Sequence, residues 1–61
     1  MRIVSCTRAE AERQLADLAA GWLHQGRPDR AAESVDALRD VQNGELEVTA
    51  GHTVYRIQEA A

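Results

Sequence analysis

A run of apolar residues at helical spacing, between Leu15 and Leu38, constrains the fold of this chain more than any other feature. Together with Ala11, its first half predicts the buried face of one helix, formed by Ala11, Leu15, Leu18 and Trp22 and flanked by Ala19 and Leu23. Its second half predicts a similar face, formed by Ala31, Val35, Leu38 and Val41. Gly26 and Pro28 separate the two halves, and these residue types end one helix and begin the next. The pattern therefore predicts an antiparallel helical hairpin.

Local signals define where the two helices begin and end. Thr7 and Glu10 have the three-residue spacing of a capping box, in which each side chain accepts a hydrogen bond from the other residue's backbone N–H. Gly44 is typical of a residue that follows a helix. We therefore expect helices over about 8–25 and 28–42.

The C-terminal segment predicts a β-hairpin. Gly51 and His52 suit the two central positions of a type II′ turn, because the first of these positions requires a positive φ. The strands then run over about 45–50 and 53–58.

This turn also fixes the register of the hairpin. It places Glu47 opposite Arg56 on one face, together with Val54. The other face is apolar and is expected to pack on the helices through Leu46, Val48, Tyr55 and Ile57. A slip of one residue would bury Glu47 and Arg56, so the register is strongly specified.

The pattern as a whole predicts an α+β fold in the order β-α-α-β-β. The first strand, over about 1–5, is predicted by the adjacent β-branched residues Ile3 and Val4. A chain of 61 residues forms one small domain, so we expect a single two-layer domain over 1–61. In it the helical hairpin packs on one side of a small sheet that contains the C-terminal hairpin.

The cysteine count and the hydropathy pattern bound the environment. Cys6 is the only cysteine, which excludes an internal disulfide and favours a reducing cytoplasm. No apolar run approaches the roughly 20 residues of a membrane span, so we expect no membrane partner. Small domains usually need a disulfide, a metal or a partner chain, and a three-stranded sheet leaves two edges unpaired. Val54 also lies on the predicted sheet face away from the helices, so we expect a homodimer that forms through a sheet edge or through that face.

The helical pair resembles one repeat of the tetratricopeptide type over about half of the chain. The matching positions are Leu15, Leu18, Ala19, Trp22, Gly26, Ala31, Val35 and Leu38. Repeats of this family bury their faces by stacking, whereas this chain has one copy flanked by strands. We interpret the pattern as that of a close helical hairpin, without a peptide-binding groove.

Side chains that support catalysis or metal binding are few and scattered. Cys6, His24 and His52 lie at a predicted strand end, helix end and turn, without the paired spacing typical of zinc ligands. No glycine-rich oxyanion turn accompanies Cys6 as a nucleophile. We therefore predict no enzyme activity, no catalytic residue, no metal and no cofactor.

Four carboxylates recur at helical spacing in the second helix. They are Asp29, Glu33, Asp36 and Asp40. This acidic stripe lies roughly 200° around the helix from the predicted buried face. A charged stripe opposite a core is commonly a solvated face, but Asp36 and Asp40 also repel each other at i,i+4. A helix that retains such repulsion can present its charge to a basic partner, so the stripe is our candidate partner-binding site.

Two classes of function follow from these features. The first is a small protein-interaction module, such as a regulator or inhibitor encoded by a phage or mobile element. Its acidic helix would bind a basic surface of another protein, such as one that itself binds nucleic acid. The alternative is a DNA-binding regulator that resembles the winged-helix family, with Gly51 and His52 at the wing tip. The formal net charge of −3 and the acidic second helix disfavour direct nucleic-acid binding.

Overall fold

The computed structural model describes residues 1–59 and contains the five predicted elements in the predicted order. They are β1 (Arg2–Cys6), α1 (Arg8–His24), α2 (Pro28–Gln42), β2 (Glu47–Ala50) and β3 (Thr53–Ile57). The two helices pack on a three-stranded sheet, which confirms the α+β fold class. No helix within the described residues is long and apolar enough to cross a membrane.

The caps of the helices follow from the local sequence. The Thr7 hydroxyl accepts a hydrogen bond from the Glu10 N–H at 3.2 Å, and the Glu10 carboxylate accepts one from the Thr7 N–H at 3.0 Å. The predicted capping box is therefore confirmed. Gly26 has a φ of 75°, which permits the turn after α1, and Pro28 is the first residue of α2.

The hairpin has the predicted register. Glu47 pairs with Arg56, and Val48 pairs with Tyr55. Gly51 has a φ of 61°, whereas no non-glycine residue among those described has a positive φ. Positive φ at Gly51 alone is the signature of a type II′ turn, as predicted.

β3 is the central strand of a mixed sheet whose order is β1-β3-β2. It pairs antiparallel with β2 and parallel with β1, so β1 and β2 are the two edges. Val4 pairs with Tyr55 on the face that the helices cover, and Ile3 pairs with Val54 on the open face. Val54 lies on the open face, as predicted, and outside the main core cluster, but its side chain is buried.

The core forms between the helices and one face of the sheet. Its buried members are Cys6, Ala11, Leu15, Ala37, Val41, Val48, Ala50, Tyr55 and Ile57. Leu15 and Val41 are fully buried, and Val4 and Leu38 pack against the cluster from its margin. Small side chains supply much of this core, which allows the helices to approach each other closely.

The buried face of α2 differs from the prediction. Ser34 and Ala37 are buried and Leu38 is half-buried, whereas Val35 is 39% exposed. The prediction for Val35 was wrong because α2 packs against both α1 and β2. The buried face of α2 is therefore centred between these two elements. The buried Ser34 hydroxyl donates to the Arg30 carbonyl at 3.3 Å, so its polar group is satisfied inside the helix.

Four further apolar side chains are less buried than predicted. Leu23 is 60% exposed in the last turn of α1, and Leu46 is 56% exposed immediately before β2. Both predictions were wrong, because these residues lie at or beyond the ends of their elements, where the opposite layer no longer covers them. Leu18 and Trp22 are half-buried rather than central core residues.

Arg8 joins the ends of three elements. Its guanidinium donates to the Val41 and Glu45 carbonyls, which lie at the end of α2 and just before β2. It also donates to the Glu59 carboxylate, with an Nε–Oε1 distance of 3.0 Å. The start of α1 is thereby fixed to the chain that follows α2 and to the chain that follows β3.

Candidate functional site

The acidic stripe lies along α2, and all four of its carboxylate residues are exposed. Its members are Asp29, Glu33, Asp36 and Asp40. The predicted exposure is therefore confirmed, whereas partner binding stays a prediction. The four residues differ in what they contact within the chain.

Asp29 and Glu33 interact with other parts of this chain. Asp29 Oδ1 lies 3.6 Å from Arg27 Nε, in an exposed ion pair. The Arg30 backbone N–H, more than the Arg27 charge, holds the pKa of Asp29 below its ordinary value. The Glu33 carboxylate accepts a hydrogen bond from the Gly51 N–H at the hairpin turn. These two carboxylates therefore help to organise the fold.

Asp36 and Asp40 form what we call the acidic pair. Neither carboxylate takes part in an ion pair or a side-chain hydrogen bond within residues 1–59. They lie four residues apart on one face of the helix, which is about 6 Å along its axis. Like charges at this spacing repel by a few tenths of a kcal/mol. The acidic pair thus presents two carboxylates to solvent, and neither forms an ion pair within residues 1–59.

An open groove of about 320 Å³ lies beside the N-terminal half of α2. Its lining comes from both helices and from the hairpin, through Leu18, Trp22, Arg30, Glu33, Ser34, Ala50, Gly51, His52 and Thr53. This groove is not predicted by the sequence pattern. Its residues are far apart along the chain, and the one local signal was a tryptophan near a helix end that is followed by arginines.

Trp22 forms the aromatic surface of this groove. The guanidinium carbons of Arg27 and Arg30 lie 6.0 and 5.8 Å from the centre of the Trp22 ring, within the range of cation–π contacts. Arg30 takes part in no ion pair within residues 1–59. The groove therefore combines an aromatic surface with positive charge, next to the carboxylate of Glu33.

The three side chains considered for catalysis or metal binding occupy different environments. Cys6 is buried in the core, whereas His24 at the end of α1 and His52 in the hairpin turn are exposed. Burial, and then the nearby Glu10 carboxylate, raise the pKa of the Cys6 thiol, which keeps it protonated at neutral pH. No group of three side chains suited to a metal ion occurs in the described part of the chain.

Comparison with known proteins gives no match to this chain among family models, curated proteins or solved structures.

Proposed function

We propose that this chain is a non-enzymatic protein-interaction module whose helix α2 binds a basic surface of another protein. The acidic pair carries the proposal, because Asp36 and Asp40 are exposed and have no cationic partner within residues 1–59. Opposite charge on a partner would relieve their mutual repulsion and would increase the rate of association.

The spacing of the acidic pair describes the partner surface. Two cationic groups about 6 Å apart, such as Arg or Lys residues one turn apart on a helix, would each meet one carboxylate. Surfaces of this kind are common on proteins that bind nucleic acid. Occupation of such a surface would exclude the nucleic acid, so we propose a regulatory or inhibitory role. We also propose a cytoplasmic location, since the unpaired thiol of Cys6 suits a reducing compartment.

The test compares two double variants that remove the same charge from different places. Asp36→Asn with Asp40→Asn neutralises the acidic pair. Asp17→Asn with Glu45→Gln neutralises two exposed carboxylates outside α2 and serves as the matched control. Both are measured for binding to an arginine-rich helical peptide and to basic proteins that co-purify with the chain.

We expect the Asp36→Asn, Asp40→Asn double variant to lose binding and the control double variant to retain most of it. Equal losses would mean that net charge alone drives association, which would contradict a site on α2. A salt-dependent mobility shift with duplex DNA, retained by both double variants, would instead favour the winged-helix-like alternative.

A further inference from the structure

Strand β1 has backbone groups that no other part of the described chain satisfies. The Arg2 N–H donates to the His52 carbonyl, and the Cys6 carbonyl accepts from the Gln58 N–H, both at 2.8 Å. In a parallel ladder, alternate residues of a strand bond to the same neighbour. The N–H and C=O groups of Ile3 and Ser5 therefore point away from β3, and neither residue has a hydrogen-bond partner within residues 1–59.

This edge also lacks the usual protection against pairing. Proteins guard exposed edges with charges, prolines, bulges or very short strands. The residues of β1 whose backbone groups point outward are the apolar Ile3, 52% exposed, and the uncharged Ser5. The one charged residue of β1, Arg2, is the first of the strand and directs its backbone groups to β3. By contrast, the opposite edge strand β2 has only four residues and carries Glu47, whose carboxylate pairs with Arg56 at 3.9 Å. Of the two edges, β1 is the one open to another strand.

The helices leave room at this edge. α2 packs on β2 and α1 packs on β3, whereas neither helix makes an extensive contact with β1. Val4, which points to the helical side, is consequently only half-buried and lies at the margin of the core. A strand added beside β1 would extend the sheet and cover Val4 further.

We propose that β1 pairs with β1 of a second copy of this chain, antiparallel, about a two-fold axis at Val4. In this register Ile3 lies opposite Ser5 of the second copy, and the outward groups of each pair exchange two hydrogen bonds. Arg2 lies opposite Cys6, so no like charges meet. The contact is self-complementary and closed, and it joins two three-stranded sheets into one of six strands. Two other registers bring outward groups into contact. The one centred on Ser5 would leave Ile3 without a facing strand residue, and the one centred on Ile3 would place Ser5 opposite Met1, which lies outside β1.

The pairing does not depend on the acidic pair. α2 lies over the opposite edge of the sheet, so Asp36 and Asp40 stay exposed in the dimer. A dimer would therefore present two acidic faces, and the two proposals can fail separately.

The test uses proline to remove one outward N–H at each edge. Ser5→Pro deletes a donor that only the second copy would use, because the bonds to β3 come from Arg2, Val4 and Cys6. Thr49→Pro makes the same change at an outward position of β2 and is the matched control. The full chain and both variants are measured by sedimentation equilibrium up to high micromolar concentration, with circular dichroism as the check of folding.

The unmodified chain and Thr49→Pro are expected to dimerise, and Ser5→Pro is expected to associate at least about tenfold more weakly, since two hydrogen bonds are lost per dimer. A monomeric unmodified chain, or a folded Ser5→Pro variant that still dimerises equally well, would overturn the proposal. If Ser5→Pro does not fold, the pairing of β1 is tested by hydrogen exchange of the backbone amides in the unmodified chain. The Ile3 and Ser5 amides must then become protected as concentration rises, and exchange that is independent of concentration would overturn the pairing.

Discussion

The carboxylate of Glu33 accepts a hydrogen bond from the backbone N–H of Gly51, although the two residues lie 18 positions apart. This contact ties the first half of α2 to the turn of the hairpin. It also separates Glu33 from the acidic pair, because the carboxylate already has a partner within the chain. The acidic stripe of α2 thus has two parts. The part near the turn stabilises the fold, and the acidic pair is free to contact another molecule.

The turn depends on glycine at position 51. Gly51→Ala is expected to destabilise the fold by about 1–2 kcal/mol, because alanine is strained at a positive φ. Gly21→Ala is the opposite case, since Gly21 lies in α1 with open space around its Cα. It should stabilise by about 0.5–1 kcal/mol. Urea unfolding of the two variants checks both signs, and a neutral Gly51→Ala would contradict the assigned turn.

Arg8 is expected to matter more than its ion pair with Glu59. Arg8→Ala removes the donors to Val41, Glu45 and Glu59, and should destabilise by about 1–2 kcal/mol. Glu59→Gln should have a smaller effect, because Arg8 keeps its two carbonyl acceptors. Chemical denaturation of both single variants and of the double variant measures the coupling. Arg13 is an exposed residue of α1, so Arg13→Ala is the control. Equal effects of the two variants would show that the hydrogen bonds of Arg8 contribute nothing to stability.

The capping box predicts a dependence of stability on acid pH. The Thr7 backbone N–H, and then the Thr7 hydroxyl, hold the pKa of Glu10 below its ordinary value of 4.5. Because the folded-state pKa is the lower one, this stability is present above pH 4.5 and is lost as the pH falls through the folded-state pKa. The free energy of unfolding should therefore fall more steeply with acid in the unmodified chain than in Glu10→Gln. Parallel slopes of the two proteins between neutral and acid pH would rule out this contribution.

Leu15 is expected to be more important to the core than Trp22. Leu15 is completely buried, and Leu15→Ala should destabilise by about 2–5 kcal/mol, enough to unfold many domains of this size. Trp22 is half-buried under Arg27 and Arg30, so Trp22→Ala should cost about 1–3 kcal/mol and leave the chain folded. Thermal unfolding, monitored by circular dichroism, shows which of the two variants is less stable. If Trp22→Ala were the more destabilising variant, the side chains around Trp22, and not those around Leu15, would form the centre of the core.

Features that a few neighbouring residues control could be predicted from the sequence. Thr7 and Glu10 set the start of α1, Gly51 set the turn, and the pairing of Glu47 with Arg56 followed from that turn. These features are predictable because their hydrogen bonds and φ angles involve residues at most a few positions apart, or joined by one tight turn. The exposure of the acidic stripe followed equally from the helical period.

How the elements face one another depends on the packing of the whole fold. This packing buried Ser34 instead of Val35, because α2 has two neighbours and a periodic pattern cannot indicate the angle between them. It placed β1 parallel to β3, left Leu46 outside the core, and brought Arg30 to the hairpin turn. Each of these outcomes depends on contacts between segments distant in the chain. Their geometry is set by the packing of whole elements, which no single stretch of sequence records.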